Sequence, residues 1–199
     1  MKKQIISIIL CLFSICSFAQ TKSIKDLYDS FKEYRTYNED KAGQIAKTLT
    51  LLGRSAELTP KQVINVNYHL GRLYEEVNEV DKAIPYYEKS LAGEPNYEVI
   101  HRALGFIYLA KSTAAVEKIN LAKKNSDVEG SKNALAEYKE IIQKAIPHLE
   151  KYQACDPDDE TLTIITNLYK SLKDTKSIET LPTRLKELSA KCVTLLDDE

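Results

Sequence analysis

The 199-residue chain carries 28 basic and 29 acidic residues, a formal net charge of −1, with six Gly, six Pro and no Trp. So even a balance, without a basic stripe, excludes the phosphate-driven affinity of a nucleic-acid binder. Few Gly and Pro, and no run of strict apolar–polar alternation, exclude a sheet-rich fold and point to helices.

The N-terminal stretch MKKQIISIILCLFSICSFAQ places Lys2 and Lys3 before an apolar run from Ile5 to Ile15, then Ser17-Phe18-Ala19 with small residues where a signal peptidase reads. Residues 1–19 therefore resemble a secretory signal peptide cut after Ala19, which implies export to the bacterial periplasm or cell envelope. The run is too short to cross about 30 Å of hydrocarbon comfortably, so no membrane span is expected after cleavage. Cys11 and Cys16 follow Leu10 and Ile15, where a lipoprotein signal wants a small residue, and no lipid anchor is expected. Without Lys2 and Lys3 the mature chain has 26 basic against 29 acidic residues, a net charge of −3.

Residues 20–57 read as an N-terminal helical pair. Ile24, Leu27, Phe31 and Tyr34 form the apolar stripe of a first helix, and Ala42, Ile45, Leu49 and Leu52 that of a second, ended by Gly53. Thr59-Pro60-Lys61-Gln62 opens the next helix as a capping box with proline at its first position. Val63, Val66, Leu70, Leu73 and Val77 then recur on one helical face.

The stretch Ile64 to Asn96 contains Leu70-Gly71, Tyr74, Ala83, Tyr87 and Pro95. Gly71 and Ala83 allow two helices to approach closely, Tyr74 and Tyr87 fill the space around the contact, and Pro95 stops the second helix for want of an amide. This spacing resembles a tetratricopeptide repeat, a helix-turn-helix unit of about 34 residues. Asn67 stands where that family usually puts a large aromatic, so the outer seam is expected to pack less tightly. The resemblance implies an all-α, right-handed α-solenoid, since a lone repeat cannot bury its apolar face and needs neighbours. The N-terminal pair would be a divergent, capping repeat.

KAIPYYEKSLAGEPNYE (Lys82 to Glu98) recurs as KAIPHLEKYQACDPDDE (Lys144 to Glu160), with nine of 17 positions identical at an offset of 62. Leu104-Gly105 and Tyr108 lie 34 residues after Leu70-Gly71 and Tyr74, so 28 extra residues fall between Tyr108 and Ala145. Divided equally, they lengthen each helix of the second repeat by about 21 Å, at 1.5 Å per residue. Asn125-Ser126-Asp127 and Gly130-Ser131 form the turn-like cluster, which places the turn near Ser126. The reading is a long helical hairpin inserted at 112–141, with Leu135, Tyr138, Ile142, Ala145, Leu149 and Tyr152 as the inner stripe of its returning helix. Repeats then span about 64–97, 98–159 and a degenerate 160–196 within a region covering 58–199. In the last, Leu162, Ile165 and Tyr169 mark the first helix, and Leu181, Leu185, Leu188, Cys192 and Leu195 the stripe of the second.

Chemistry-bearing patterns are sparse. His69, His101 and His148 fit no metal-ligand spacing, and the acidic run Asp156 to Glu160 lacks the glycine and distal glutamate of a calcium loop. No phosphate loop, nucleophile elbow or Cys-x-x-Cys is present, so neither an enzyme nor a cofactor or metal is expected. Cys155 and Cys192 survive processing; a disulfide is open to them in an oxidising compartment, but two buried thiols are favoured.

What the resemblance implies is a non-enzymatic adaptor that holds a protein or peptide in a groove lined by the first helix of each repeat. Helical phase puts Asn65, Tyr68, Arg72 and Glu75 on that side of one repeat, and Arg102 and Phe106 on that of the next. Aromatics with arginine are the mixture that carries interface energy. The alternatives are a glycan- or small-ligand-binding envelope protein, or a self-associating structural module.

Overall fold

A computed structural model describes residues 22–36 and 40–194. The leader with its cut after Ala19, Leu195 and the acidic tail Asp197 to Glu199 lie outside these residues. Among the described residues the fold is all-α. Its helices are α1 (Ile24–Tyr34), α2 (Lys41–Leu52), α3 (Pro60–Glu76), α4 (Val80–Gly93), α5 (Glu98–Lys124), α6 (Val128–Cys155), α7 (Asp159–Leu172) and α8 (Thr175–Leu188), with a 3-10 turn at Ser55–Glu57. None of these helices is long and apolar enough to cross a membrane.

Local chemistry sets most of these boundaries. The side chains of Ser23, Asp40, Asp127, Asp158 and Asp174 each accept a backbone N–H at a helix start. At α3 the predicted capping box is complete: the Gln62 N–H donates to Thr59 Oγ1 at 3.2 Å and the Thr59 N–H to Gln62 Oε1 at 2.9 Å. The turns inside three hairpins share one device. Asn78, Ser126 and Lys173 adopt left-handed backbone with φ of 60°, 55° and 60°. The next N–H then returns to a carbonyl five residues back, Glu79 to Tyr74, Asp127 to Ala122 and Asp174 to Tyr169. Glu94 and Asp156, each preceding a proline, share an extended backbone near φ −135° and ψ 89° and near φ −133° and ψ 82°, as the proline ring demands.

Helices pack mainly on their chain neighbours, with α6 also resting on α8. Two contacts fix the spacing. A Cβ on Gly71 would stand 2.7 Å from the Tyr87 ring, and one on Gly105 would stand 2.8 Å from Leu149. Around them the main core gathers Leu70, Tyr74, Ala83, Leu104, Ile142, Ala145, Leu149, Ile165 and Leu181. Tyr28, Phe31, Leu51 and Val66 form a second, N-terminal core.

The turn at Ser126 falls where the even division of the insertion puts it, giving α5 27 residues and α6 28. The base of this hairpin is embraced at two points, Lys111 with Asp81 of α4 and Tyr138 Oη with Ser171 Oγ of α7 at 2.9 Å. Beyond them the two helices pack on each other.

Several predicted faces need correction. Leu135 is 42 % exposed and Ala134 takes the inner position, because paired helices with no third neighbour approach over small side chains. In α2 the buried residues are Gln44, Thr48 and Leu51, while Ala42 and Leu49 face outward, and in α1 Tyr28 joins Phe31 inside. Val77 and Leu162 are exposed too. Helix α8 ends at Leu188, so Cys192 belongs to a following strap rather than to a helical stripe. That strap returns to α5: the Glu98 N–H donates to Val193 O and the Val193 N–H to Asn96 O, each at 2.9 Å. Asn67 is buried, its Nδ2 donating to Val63 O at 2.8 Å while its Oδ1 accepts nothing. It borders a cleft with Leu49, Leu52, Val63 and Tyr86.

Gly71→Ala and Gly105→Ala should each destabilise by about 1–3 kcal/mol through overpacking, whereas Gly53→Ala, at a helical φ of −60°, should stay within about 0.5 kcal/mol. Urea unfolding monitored by circular dichroism checks this, and equal losses at all three would contradict the glycine contacts. Replacing residues 111–141 by the tripeptide of the α3–α4 turn, Val-Asn-Glu, joins Ala110 to Ile142 in the register of the shorter hairpin. Cooperative unfolding should be retained; a molten product would mean that the long hairpin is core.

Candidate functional site

On α3 the predicted groove residues separate by depth. Asn65 is only 2 % exposed and belongs to the interior rather than to a surface a partner could reach. Tyr68 is half-buried among rings, 5.1 Å from Tyr97, 6.3 Å from Tyr87 and 4.8 Å from His69 between centroids. Arg72 donates through Nη2 to Arg35 O at 2.8 Å, which ties α3 to the end of α1. Glu75 accepts the Tyr87 hydroxyl at 2.5 Å. Burial, then that carboxylate, push the Tyr87 phenol far above its usual range.

On α5, Arg102 is exposed and Phe106 half-buried, one helical turn apart. The Arg102 guanidinium lies 5.5 Å from the Phe106 ring and 5.8 Å from that of Tyr152, and the two rings meet edge to face at 6.3 Å. Tyr152, read from sequence as inner stripe, is half-buried and shared between α6 and this surface cluster. Its period matched the core, and only the position of α5 shows which side of it stays open.

Beside this cluster two histidines meet. His101 and His148 approach Nδ1 to Nδ1 at 3.0 Å, and His101 Nε2 lies 3.0 Å from Pro95 O. A carbonyl only accepts, so His101 carries its proton on Nε2, its Nδ1 accepts, and His148 Nδ1 donates. This arrangement requires the His101 ring to be neutral. Burial and then the neighbouring His101 push the His148 imidazole down to about 4, and burial lowers His101 as well.

Also on α6 two adjacent charges are buried, Glu150 and Lys151, each 5 % exposed. Glu150 accepts the Tyr169 hydroxyl and Arg184 Nη2, both at 2.6 Å. Lys151 Nζ donates to Asn96 Oδ1 at 3.0 Å, to Leu188 O at 2.9 Å and to Lys191 O. Burial pushes its ammonium down in pKa while Glu94 and Glu98 counter the effect. Cys155 and Cys192 are joined by a disulfide with Cα atoms 5.7 Å apart, which corrects the expectation of two buried thiols. The strap, not a longer α8, brings Cys192 to Cys155. Glu98 completes a group whose carboxylate and two sulfurs lie within 4.8 Å of one another.

No family model matches this sequence, and neither a curated protein nor a solved structure is significantly similar to it.

Because the folded state lowers both histidine pKa values from 6.5, the unfolded chain binds protons more readily as pH falls. Stability should therefore hold above about pH 6.5 and decline from there towards about pH 4, where His148 takes its proton in the folded chain. His148→Leu should flatten the decline in urea midpoint between these limits; an unchanged slope would show that other groups carry it.

Proposed function

We propose that the chain is a non-enzymatic adaptor of tetratricopeptide-repeat type, exported to the periplasm or cell envelope, holding a protein or peptide on the face shared by α3 and α5. The observation that carries this reading is the exposed Arg102 guanidinium over Phe106 and Tyr152, a rigid aromatic and cationic cluster of the kind that anchors interfaces. Support for the repeat reading comes from the recurring glycine contacts, Gly71 with Tyr87 and Gly105 with Leu149, and from the three turns closed alike at Asn78, Ser126 and Lys173. The expected ligand is an internal segment or folded surface, because the cluster offers one Arg and two rings rather than a pair of lysines for a terminal carboxylate.

Self-association through the long hairpin is a second reading with its own observation. Val128 at 82 % and Leu121 at 61 % exposure stand near its tip, with Val116 and Leu135 exposed behind them.

Crosslinking in cell-envelope extracts, followed by isolation of the chain, separates the two. A stoichiometric protein partner whose yield falls at least about tenfold, ~1.4 kcal/mol, in Arg102→Glu with an unchanged melting temperature supports the adaptor. Only self-crosslinks, abolished by Val128→Asp, support the second reading. Partner capture that ignores Arg102→Glu would overturn the assigned face.

A further inference from the structure

We infer that Glu98, Cys155 and Cys192 form a zinc site once the Cys155–Cys192 disulfide is reduced, with two thiolates and one carboxylate as protein ligands and water in the fourth position. The three residues come from three elements, Glu98 opening α5, Cys155 closing α6 and Cys192 in the strap, yet their donor atoms lie within 4.8 Å of one another. Glu98 is 9 % exposed, and among the described residues its carboxylate accepts no hydrogen bond. Glu98 stands in the first turn of α5, where the helix dipole favours a negative charge, and it faces the two sulfurs. A metal beside the sulfurs would take this carboxylate as its third protein ligand.

The surroundings keep the donors together when the sulfurs part. Backbone hydrogen bonds between Val193 and both Asn96 and Glu98 hold the strap on α5, and Lys151 holds Leu188 O and Lys191 O. Sulfurs about 2.05 Å apart in a disulfide stand about 3.8 Å apart on a tetrahedral zinc with bonds of about 2.3 Å. The strap must therefore yield by less than about 2 Å, and Cys192 lies exposed at its surface. Two thiolates and a carboxylate around Zn²⁺ leave one negative charge, which Asp156 beside Glu98 opposes and the Lys151 ammonium favours. Thiolate donors select zinc over the oxygen-seeking magnesium and calcium.

The reductant is a dithiol. One of its thiolates attacks the exposed Cys192 sulfur, breaking the disulfide and releasing Cys155 as a thiolate. Its second thiolate attacks the mixed disulfide, frees Cys192 and closes the dithiol's own disulfide. Two electrons thus pass to the cystine, and zinc takes up both thiolates while the dithiol's two protons go to solvent. Disulfide and zinc are alternative clasps at one place, chosen by the redox compartment.

The test uses the full mature chain, reduced with a phosphine, freed of reductant under anaerobic conditions and titrated with Co²⁺ and then Zn²⁺. Thiolate-to-cobalt charge-transfer absorption saturating at one equivalent, displaced by zinc and absent from the oxidised chain, is the expected result. Glu98→Gln should weaken binding at least about tenfold while the oxidised variant melts as the wild type does. X-ray absorption at the zinc edge of the wild-type chain gives an independent count, two sulfurs and two lighter atoms. Absent charge transfer, four sulfurs from two chains, or an affinity indifferent to Glu98→Gln in a folded variant would each overturn the site.

Discussion

The two central hairpins depend on how closely two antiparallel helices approach at a glycine. With Gly71 under the Tyr87 ring and Gly105 under Leu149, the distance within each hairpin is fixed to that of near backbone contact, and a close-packed interior leaves the flanking side chains one way to fit. Leu70, Leu104 and Ile165 consequently occupy matching, fully buried places in successive hairpins. The third hairpin lacks the glycine: Thr166 stands in its place, its hydroxyl donating to Leu162 O at 2.9 Å. There a polar tie takes over, as Arg184 of α8 and Tyr169 of α7 converge on Glu150 of α6.

Two of the buried charges, Glu150 and Lys151, stand in this C-terminal third. Burying Glu150 and Lys151 costs desolvation energy that their partners roughly offset, so they add little net stability. What they add is position. Arg184 locks the middle of α8 to α6, and Lys151 receives the carbonyls at and beyond the C-terminus of α8, where the helix dipole places negative potential. The ammonium thus stops α8 at Leu188 and turns the chain towards Tyr97, whose backbone pairs with Val193. The disulfide, the Lys151 cage and Glu98 all depend on this single turn.

The elements were largely legible because their causes are local. Thr59 and Gln62 state the start of α3, Pro95 and Pro157 state the ends of α4 and α6, and the sequence echo at Lys82 and Lys144 states how many residues the long hairpin gains. Faces were less legible. A stripe reading selects large apolar residues, so it chose Leu135 over Ala134, although two helices lacking a third neighbour close over the smaller side chain, and Leu49 over Thr48, whose buried hydroxyl bonds Gln44 O and meets Tyr34 Oη. The same bias placed Tyr152 wholly in the core, while its ring is shared with Arg102 and Phe106. It also sent Asn65 to the surface, because a polar residue in helical phase with Tyr68 and Arg72 reads as exposed whatever packs above it.

The amino-acid sequence by itself determined most of the helices, the turn near Ser126, the register of the first two full hairpins and the length of the inserted one, since each follows from hydrogen bonds and identities among near neighbours in the chain. The tertiary structure alone decided what meets at the far end. Cys155 and Cys192 are separated by 37 residues, and Glu98 lies on yet another helix. No spacing encodes their convergence, because it results from where α8 stops and which way the strap turns. Both are set by Lys151 capturing carbonyl oxygens, a backbone chemistry that every residue possesses and that therefore leaves no mark in the sequence.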